Sequence, residues 1–235
     1  MHFDHDLHRH AVPIAMPVPS QVGASEFTSS SETNTLYRRY VKRALDTALI
    51  LVSLPLVLPV LACLTLLVAL QGGNPFFCQK RVGRDGKVFT MWKLRTMIPN
   101  ADAALAHHLQ SNAQARAEWK LTQKLKNDPR ITALGAILRR TSLDELPQLL
   151  NVIKGEMSLV GPRPMLPEQQ GLYPGHAYYE MLPGLTGFWQ VSARNESEFA
   201  ERAFFDARYY NKMSFLTDLK TLLATVRVVT RATGH

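Results

Sequence analysis

A mostly α-helical chain with one small β-hairpin, resting on a membrane through a re-entrant helix hairpin, is the fold class this sequence predicts. Three observations carry that expectation. Residues 47–70 form an uncharged run of 24 residues with Pro59 at its middle. Basic residues flank that run on both sides. Most of the chain beyond residue 72 has helical periodicity, interrupted by one alternating stretch around a Gly/Asp turn.

Residues 1–34 read as a disordered, solvated tail. Pro13, Pro17, Pro19 and the hydroxyl cluster around Ser29, Ser30 and Ser31 leave no apolar period. His2, His5, His8 and His10 beside Asp4 and Asp6 are metal-ligand types, but so flexible a stretch fixes no coordination geometry. No apolar core follows a basic start, so the tail is not a signal peptide.

Residues 35–72 are the membrane segment. A 24-residue apolar run is long enough to span a bilayer as a helix. Pro59, with Pro55 one turn earlier, argues against a simple span, because a mid-helix proline costs about 3 kcal/mol in a lost hydrogen bond and a ring clash. Each arm then reaches roughly 17–18 Å, little more than half of the hydrocarbon core. Arg38, Arg39, Lys42 and Arg43 precede the run, and Lys80, Arg81, Arg84 and Lys87 come after it. Basic flanks mark the cytoplasmic side, which favours a helix that enters, breaks at Pro59 and returns over a kinked span.

Residues 73–235 form the cytoplasmic domain. Residues 76–81 and 87–97 alternate on either side of Gly83-Arg84-Asp85-Gly86, a β-hairpin pattern. Residues 101–125 are Ala- and Gln-rich and predict one helix, closed by the turn Asn127-Asp128-Pro129, with a second short helix over 131–139. Ser142-Leu143-Asp144-Glu145 has the form of a capping box opening a helix that stops at Gly155. Gly161-Pro162-Arg163-Pro164 is a rigid extended loop and Pro183-Gly184-Leu185-Thr186-Gly187 a tight one. Asn195 and Glu198 offer a cap for a helix through Tyr210. Residues 215–229 place Leu216, Leu219, Leu222, Leu223, Val226 and Val229 on one face of an interfacial amphipathic helix.

The chain has 235 residues, Lys+Arg 27 against Asp+Glu 19 and a net charge of +8, with the basic excess lying beyond the acidic tail. A basic domain meets an anionic partner. Nucleic acid is excluded as that partner by the apolar run, which leaves phosphorylated ligands and lipid headgroups. Cys63 and Cys78 cannot build a disulfide framework, suit a reducing compartment, and read as packing residues. Asp144 and Glu145 at a helix start are by themselves ordinary dipole partners. Beyond that, Lys93, Arg95, Arg130, Arg139, Arg140, Arg163 and Arg194 all fall near loops or element ends. Cations around two carboxylates suit a doubly anionic substrate bridged by a hard divalent metal. No zinc spacing, nucleophile elbow, P-loop or dinucleotide fingerprint occurs.

An ordered series of motifs then sharpens the reading: Lys42-Arg43-x-x-Asp46, Gln79-x-Arg81-x-Gly83, Lys93-Leu94-Arg95-Thr96-Met97, Lys126-Asn127-Asp128-Pro129-Arg130, Ser142-Leu143-Asp144-Glu145-Leu146-Pro147-Gln148, Ser158-Leu159-Val160-Gly161-Pro162-Arg163-Pro164 and Pro183-Gly184-Leu185-Thr186-Gly187-Phe188-Trp189-Gln190-Val191. The series covers residues 36–230. It resembles the bacterial sugar transferases, the monotopic polyprenyl-phosphate phosphoglycosyl transferases. The resemblance implies a helix broken at Pro59, a location on the cytoplasmic face of the inner membrane, and transfer of a hexose 1-phosphate (galactose or glucose) from a UDP-sugar to undecaprenyl phosphate, with release of UMP. It implies Asp144 as nucleophile, Glu145 as catalytic partner and holder of Mg²⁺, and Lys93, Arg95, Arg139, Arg163 and Arg194 as substrate contacts. Membrane lipid is an expected partner and a homodimer a further candidate. Two positions depart from the family pattern: Leu58 precedes the breaking proline in place of Ser, and Ala193 precedes Arg194 in place of Gly. The Ser-Ala-Arg-Asn form is similar to the branch that starts exopolysaccharide units with galactose 1-phosphate. The rival reading is a non-catalytic membrane-surface module recruiting polysaccharide machinery; it leaves the Asp144-Glu145 pair unexplained.

Overall fold

The computed structural model describes residues 36–122, 125–192 and 199–230; the expected tail and the expected cap at Asn195 and Glu198 lie outside them. The apolar run folds as helix α1, Lys42–Ala69, entered through one π-helical turn at Tyr37–Val41. The expected break at Pro59 does not end the helix, which continues through Pro55 and Pro59 to Ala69. Each proline removes one donor, but an apolar surrounding offers the neighbouring backbone groups no better partner than the helix itself.

Both arms of α1 pack on the same domain. Ile50 and Leu54 join Phe89, Met91, Val152 and Met157, whereas Leu61, Leu64 and Val68 join Leu94 and Leu138. Between and around these contacts Val52 is 81% exposed and Leu56 75%. Polar ties fix the ends. Asp218 accepts from Lys42 Nζ at 2.6 Å, from the Tyr37 hydroxyl at 2.7 Å and from the Tyr209 hydroxyl at 2.7 Å. Ser158 Oγ donates to Asp46 at 2.6 Å. The Arg43 guanidinium donates to the carbonyls of Val152 and Ile153. At the other end Arg95 Nη2 donates to the Val68 carbonyl at 3.1 Å.

The hairpin is present as β1, Phe76–Val82, paired antiparallel with β2, Val88–Leu94, in the register Phe76↔Leu94 to Val82↔Val88. Asp85 and Gly86 make its turn with positive φ. The single helix expected over 101–125 is instead two, α2 (Ala101–Ser111) and α3 (Ala113–Thr122). Asn112 is extended between them and its side chain accepts from the Ala115 amide at 3.0 Å, so a local cap outcompetes the continuous helix.

Helix α4, Ala133–Thr141, is capped by Thr132, whose hydroxyl accepts from the Gly135 amide. The expected capping box at Ser142 is not formed. Ser142 has φ +56°, a left-handed conformation that ends α4, whereas an N-cap needs an extended backbone. The chain then turns into a 3₁₀ helix, Leu143–Gln148, which accommodates Pro147, and into α5, Leu149–Lys154, which ends at Gly155 as expected. The loop expected at 183–187 contains a strand: β3 (Ser158–Val160) pairs in parallel with β4 (Gly184–Thr186). The strands are three residues each, too short for periodicity to register, and a Cβ on Gly184 would collide with the Gly161 amide nitrogen. Helices α6 (Phe188–Ser192), α7 (Arg202–Lys212) and α8 (Phe215–Thr230) complete the described chain.

On α8 the polar side faces in. Asp218 and Thr221 are buried, with Leu222 packed beside them, while Leu216, Leu219, Leu223 and Val226 are exposed. Burial of Asp218 against Lys42, Tyr37 and Tyr209 sets that orientation. Asp218→Ala leaves the buried Lys42 and the Tyr37 hydroxyl without this acceptor, and the Tyr209 hydroxyl with only the Val160 carbonyl at 3.3 Å. It should destabilise the fold by about 3–5 kcal/mol, read by thermal melting of the full chain in detergent.

Candidate active site

The site is assembled where the end of β2 meets the segment after α4. Thr132 N donates to the Thr96 carbonyl at 3.1 Å and Ile98 N to the Arg130 carbonyl at 2.8 Å. A Cβ on Gly135 would collide with the Thr96 carbonyl oxygen, so only glycine allows α4 to lie this close. The left-handed turn at Ser142 then redirects the chain, and Asp144 and Glu145 come to face Lys93 on β2.

Lys93 Nζ is 2.6 Å from Glu145 Oε1 and 4.0 Å from Asp144 Oδ2. Asp144 is only 7% exposed. Burial pushes its carboxyl up to about 6; Glu145 adds to the rise, while Lys93 and Arg139 oppose it. Arg139 Nε donates to Thr96 Oγ1 at 2.8 Å, which aims the side chain. Burial lowers its proton affinity, and the charge of Asp144 partly restores it. At neutral pH the site therefore holds an ionised, poorly hydrated carboxylate, the state a nucleophile needs.

Beside this pair lies a cleft lined by Arg81, Lys93, Glu145, Gln148, Arg163 and Leu185, among others. Arg81 donates to the Pro164 carbonyl at 3.1 Å and to Gln79 Oε1 at 2.6 Å, and its buried Nε has no partner. Burial and the nearby cations Arg163 and Arg202 bring its guanidinium down to about 10. Arg202, likewise lowered to about 10 by burial and by Arg163, stacks 4.3 Å from the Trp189 ring. Guanidiniums that lose proton affinity chiefly by burial, and further by facing one another, mark a place suited to an anion.

Of the sequence-predicted residues, the structure brings Lys93, Glu145 and Arg163 into the cleft, with Asp144 and Arg139 next to it. Arg95 is placed elsewhere. It braces the far end of α1 through the Val68 carbonyl. Arg194 lies outside the described residues. Arg130 is paired with Asp128 at 2.7 Å, away from the cleft. Sequence reasoning missed Arg81, Gln148 and Arg202. Arg81 stands in the Gln79-x-Arg81-x-Gly83 motif, but reads in the sequence as a membrane-flanking charge.

Among the described residues no group of three or more His, Cys, Asp or Glu could hold a metal alone. Two adjacent carboxylates beside an anion cleft do fit Mg²⁺, which takes one or two carboxylates and completes its shell with water and substrate phosphate.

Residues 37–232 match the family model described as bacterial sugar transferase. The chain is 44% identical over 198 residues to a UDP-galactose-lipid carrier transferase of Erwinia amylovora, covering 83% of this chain and 42% of that protein. It is 42% identical over 196 residues to the exopolysaccharide production protein ExoY of Rhizobium meliloti, covering 82% of this chain and 87% of that one. It is 38% identical over 199 residues to the UDP-glucose:undecaprenyl-phosphate glucose-1-phosphate transferase of Escherichia coli, covering 80% and 40%. The chain thus spans about two fifths of the length of the first and third of these relatives.

The buried carboxylate gives a prediction with a definite sign. The folded-state value of Asp144 lies above its ordinary 3.8, so the native state holds that proton more tightly and loses stability as pH rises from about 4 to about 6. Asn cannot ionise. In a chelator, Asp144→Asn should therefore be more stable than the parent by roughly 2–3 kcal/mol above pH 6, a gap that closes toward pH 4. Chemical denaturation across that range checks it.

Proposed function

The chain belongs to the bacterial sugar transferase family, and we propose that it transfers a hexose 1-phosphate from a UDP-sugar to undecaprenyl phosphate, starting an exopolysaccharide repeat unit. The observation that carries this reading is the buried, ionisable Asp144 beside the Lys93–Glu145 pair and a guanidinium-lined cleft. Asp144 attacks the β-phosphorus of the donor; the phosphorus–oxygen bond to UMP breaks, and an aspartyl-phosphosugar forms. An oxygen of the lipid phosphate then attacks the same phosphorus and returns the carboxylate. Lys93, Arg139 and Arg163, with Arg81, neutralise the diphosphate as charge builds on departing UMP. Glu145 would hold Mg²⁺, which supplies further neutralisation of the phosphate oxygens.

The names of the relatives favour galactose or glucose as the sugar. The acceptor chemistry requires a membrane, and two features supply the surface: the apolar length of α1 and the outward leucines of α8. Packing of both ends of α1 on one domain argues against a simple crossing, since a crossing helix offers a single-sided domain only one of its ends, and the basic flanks of the run favour the cytoplasmic side.

Two measurements test the proposal. Full-length protein in nanodiscs containing undecaprenyl phosphate should release UMP from UDP-galactose or UDP-glucose, with loss of release in chelator. Silence across a panel of UDP-sugars would refute it and leave a recruiting module. For topology, single cysteines at positions 31 and 85, with Cys63 and Cys78 replaced, should both resist a membrane-impermeant thiol reagent in spheroplasts. Labelling at position 31 alone would mean a span.

A further inference from the structure

We propose that the Tyr178 hydroxyl is a positioning group for Arg81 and Arg163, closing a hydrogen-bonded ring that fixes the spacing of the two guanidiniums and so sets how tightly the cleft grips a diphosphate. The identity of that diphosphate as a nucleotide sugar rests on the transfer reading above.

Arg81 is the penultimate residue of β1, and Arg163 lies in the loop after β3. They belong to segments far apart in the chain and repel each other, and the proton affinity of Arg81 is lowered by burial and by Arg163. Something must hold them together without neutralising them. The backbone does part of this: Val82 N donates to the Met165 carbonyl at 3.0 Å, and Arg81 Nη1 donates to the Pro164 carbonyl at 3.1 Å. Tyr178 completes it. Its hydroxyl donates to the Val82 carbonyl at 2.5 Å and accepts from the Met165 amide at 3.2 Å. One oxygen thus bridges the residue after Arg81 and the residue two after Arg163.

Tyr178 does not line the cleft and is only 1% exposed, so it acts through the arginines and not on substrate. Its ring is fixed edge-on by Tyr173 at 5.6 Å and Tyr179 at 5.5 Å. Tyr173 is fixed in turn by donating to Asp206 at 2.9 Å. The arrangement runs from α7 through two aromatic rings to the cleft wall.

Tyr178→Phe removes one oxygen and keeps the ring packing. In full-length protein in nanodiscs it should weaken calorimetric binding of inorganic pyrophosphate about tenfold and raise the donor KM about tenfold. The kcat and the KM for the lipid phosphate should stay within about twofold. In an Arg163→Ala background the same change should add less than about twofold, because the group it positions is gone. Lower melting with unchanged pyrophosphate affinity would overturn the proposal, as would an equal penalty in the Arg163→Ala background. Should Tyr178→Phe not accumulate, Arg81→Lys keeps the charge but loses the fork that reaches Pro164, and unchanged pyrophosphate affinity in that variant would equally overturn it. Pyrophosphate binding needs no turnover, so a parent chain that binds it but releases no UMP would refute the transfer reading alone.

Discussion

A carboxylate kept almost out of water among cations is costly to ionise, and much of this fold can be read as the means of meeting that cost. Asp144 is stabilised in its charged form by Lys93 from β2 and Arg139 from α4, and opposed by its own burial and by Glu145. Lys93 and Arg139 come from separate elements. Those elements are brought together by close backbone contact at Gly135 and by the left-handed turn at Ser142. Loosening either contact would hydrate the carboxylate and bring it back toward an ordinary aspartate.

The same logic explains why the apolar helix is anchored so heavily. In the proposed reaction a water-soluble donor meets a lipid phosphate, which calls for a reacting group held at a fixed height over the membrane. The buried Asp218 cluster with Lys42, Tyr37 and Tyr209, the Asp46–Ser158 bond and the Arg43 contacts to the end of α5 hold one end of α1. Arg95 holds the other through Val68. Arg95 stands two residues from Lys93, so β2 and its extension carry both the partner of the Asp144-Glu145 pair and the brace of the helix. The position of α1 and that of the Asp144 carboxylate are thereby mechanically coupled.

Much of this was legible in the sequence where the signal is local and periodic. The hairpin around Asp85-Gly86, the stop at Gly155 and the apolar length of α1 all come from patterns within a few residues. The ordered motifs single out Asp144, Glu145, Lys93 and Arg163, which the fold does bring together. What stayed hidden depends on distant partners. Ser142 reads as a cap until its backbone turns left-handed, and Glu145 then serves Lys93 and not the helix start. Arg95 reads as a substrate contact in the sequence, whereas its bond to the carbonyl of Val68 depends on a partner 27 residues away that no local pattern names. Residues 184–186 read as a loop because a three-residue strand pairs only when Gly161 and Gly184 are allowed to touch. Of the apolar stripe that the periodicity names on α8, Leu216, Leu219, Leu223 and Val226 face outward, whereas Leu222 packs inward beside the buried Asp218 and Thr221.

Whether Asp144 forms a covalent phosphosugar can be weighed directly. Full-length protein is incubated with Mg²⁺ and UDP-galactose or UDP-glucose in the complete absence of polyprenyl phosphate, quenched in acid and subjected to intact-protein and peptide mass spectrometry. A nucleophilic Asp144 predicts a gain in mass equal to one hexose phosphate, located on that residue, with UMP released in equal amount and the adduct discharged when undecaprenyl phosphate is added. UMP that appears only after the lipid acceptor is supplied, with no adduct at any time, would mean direct transfer between substrates and would contradict that role.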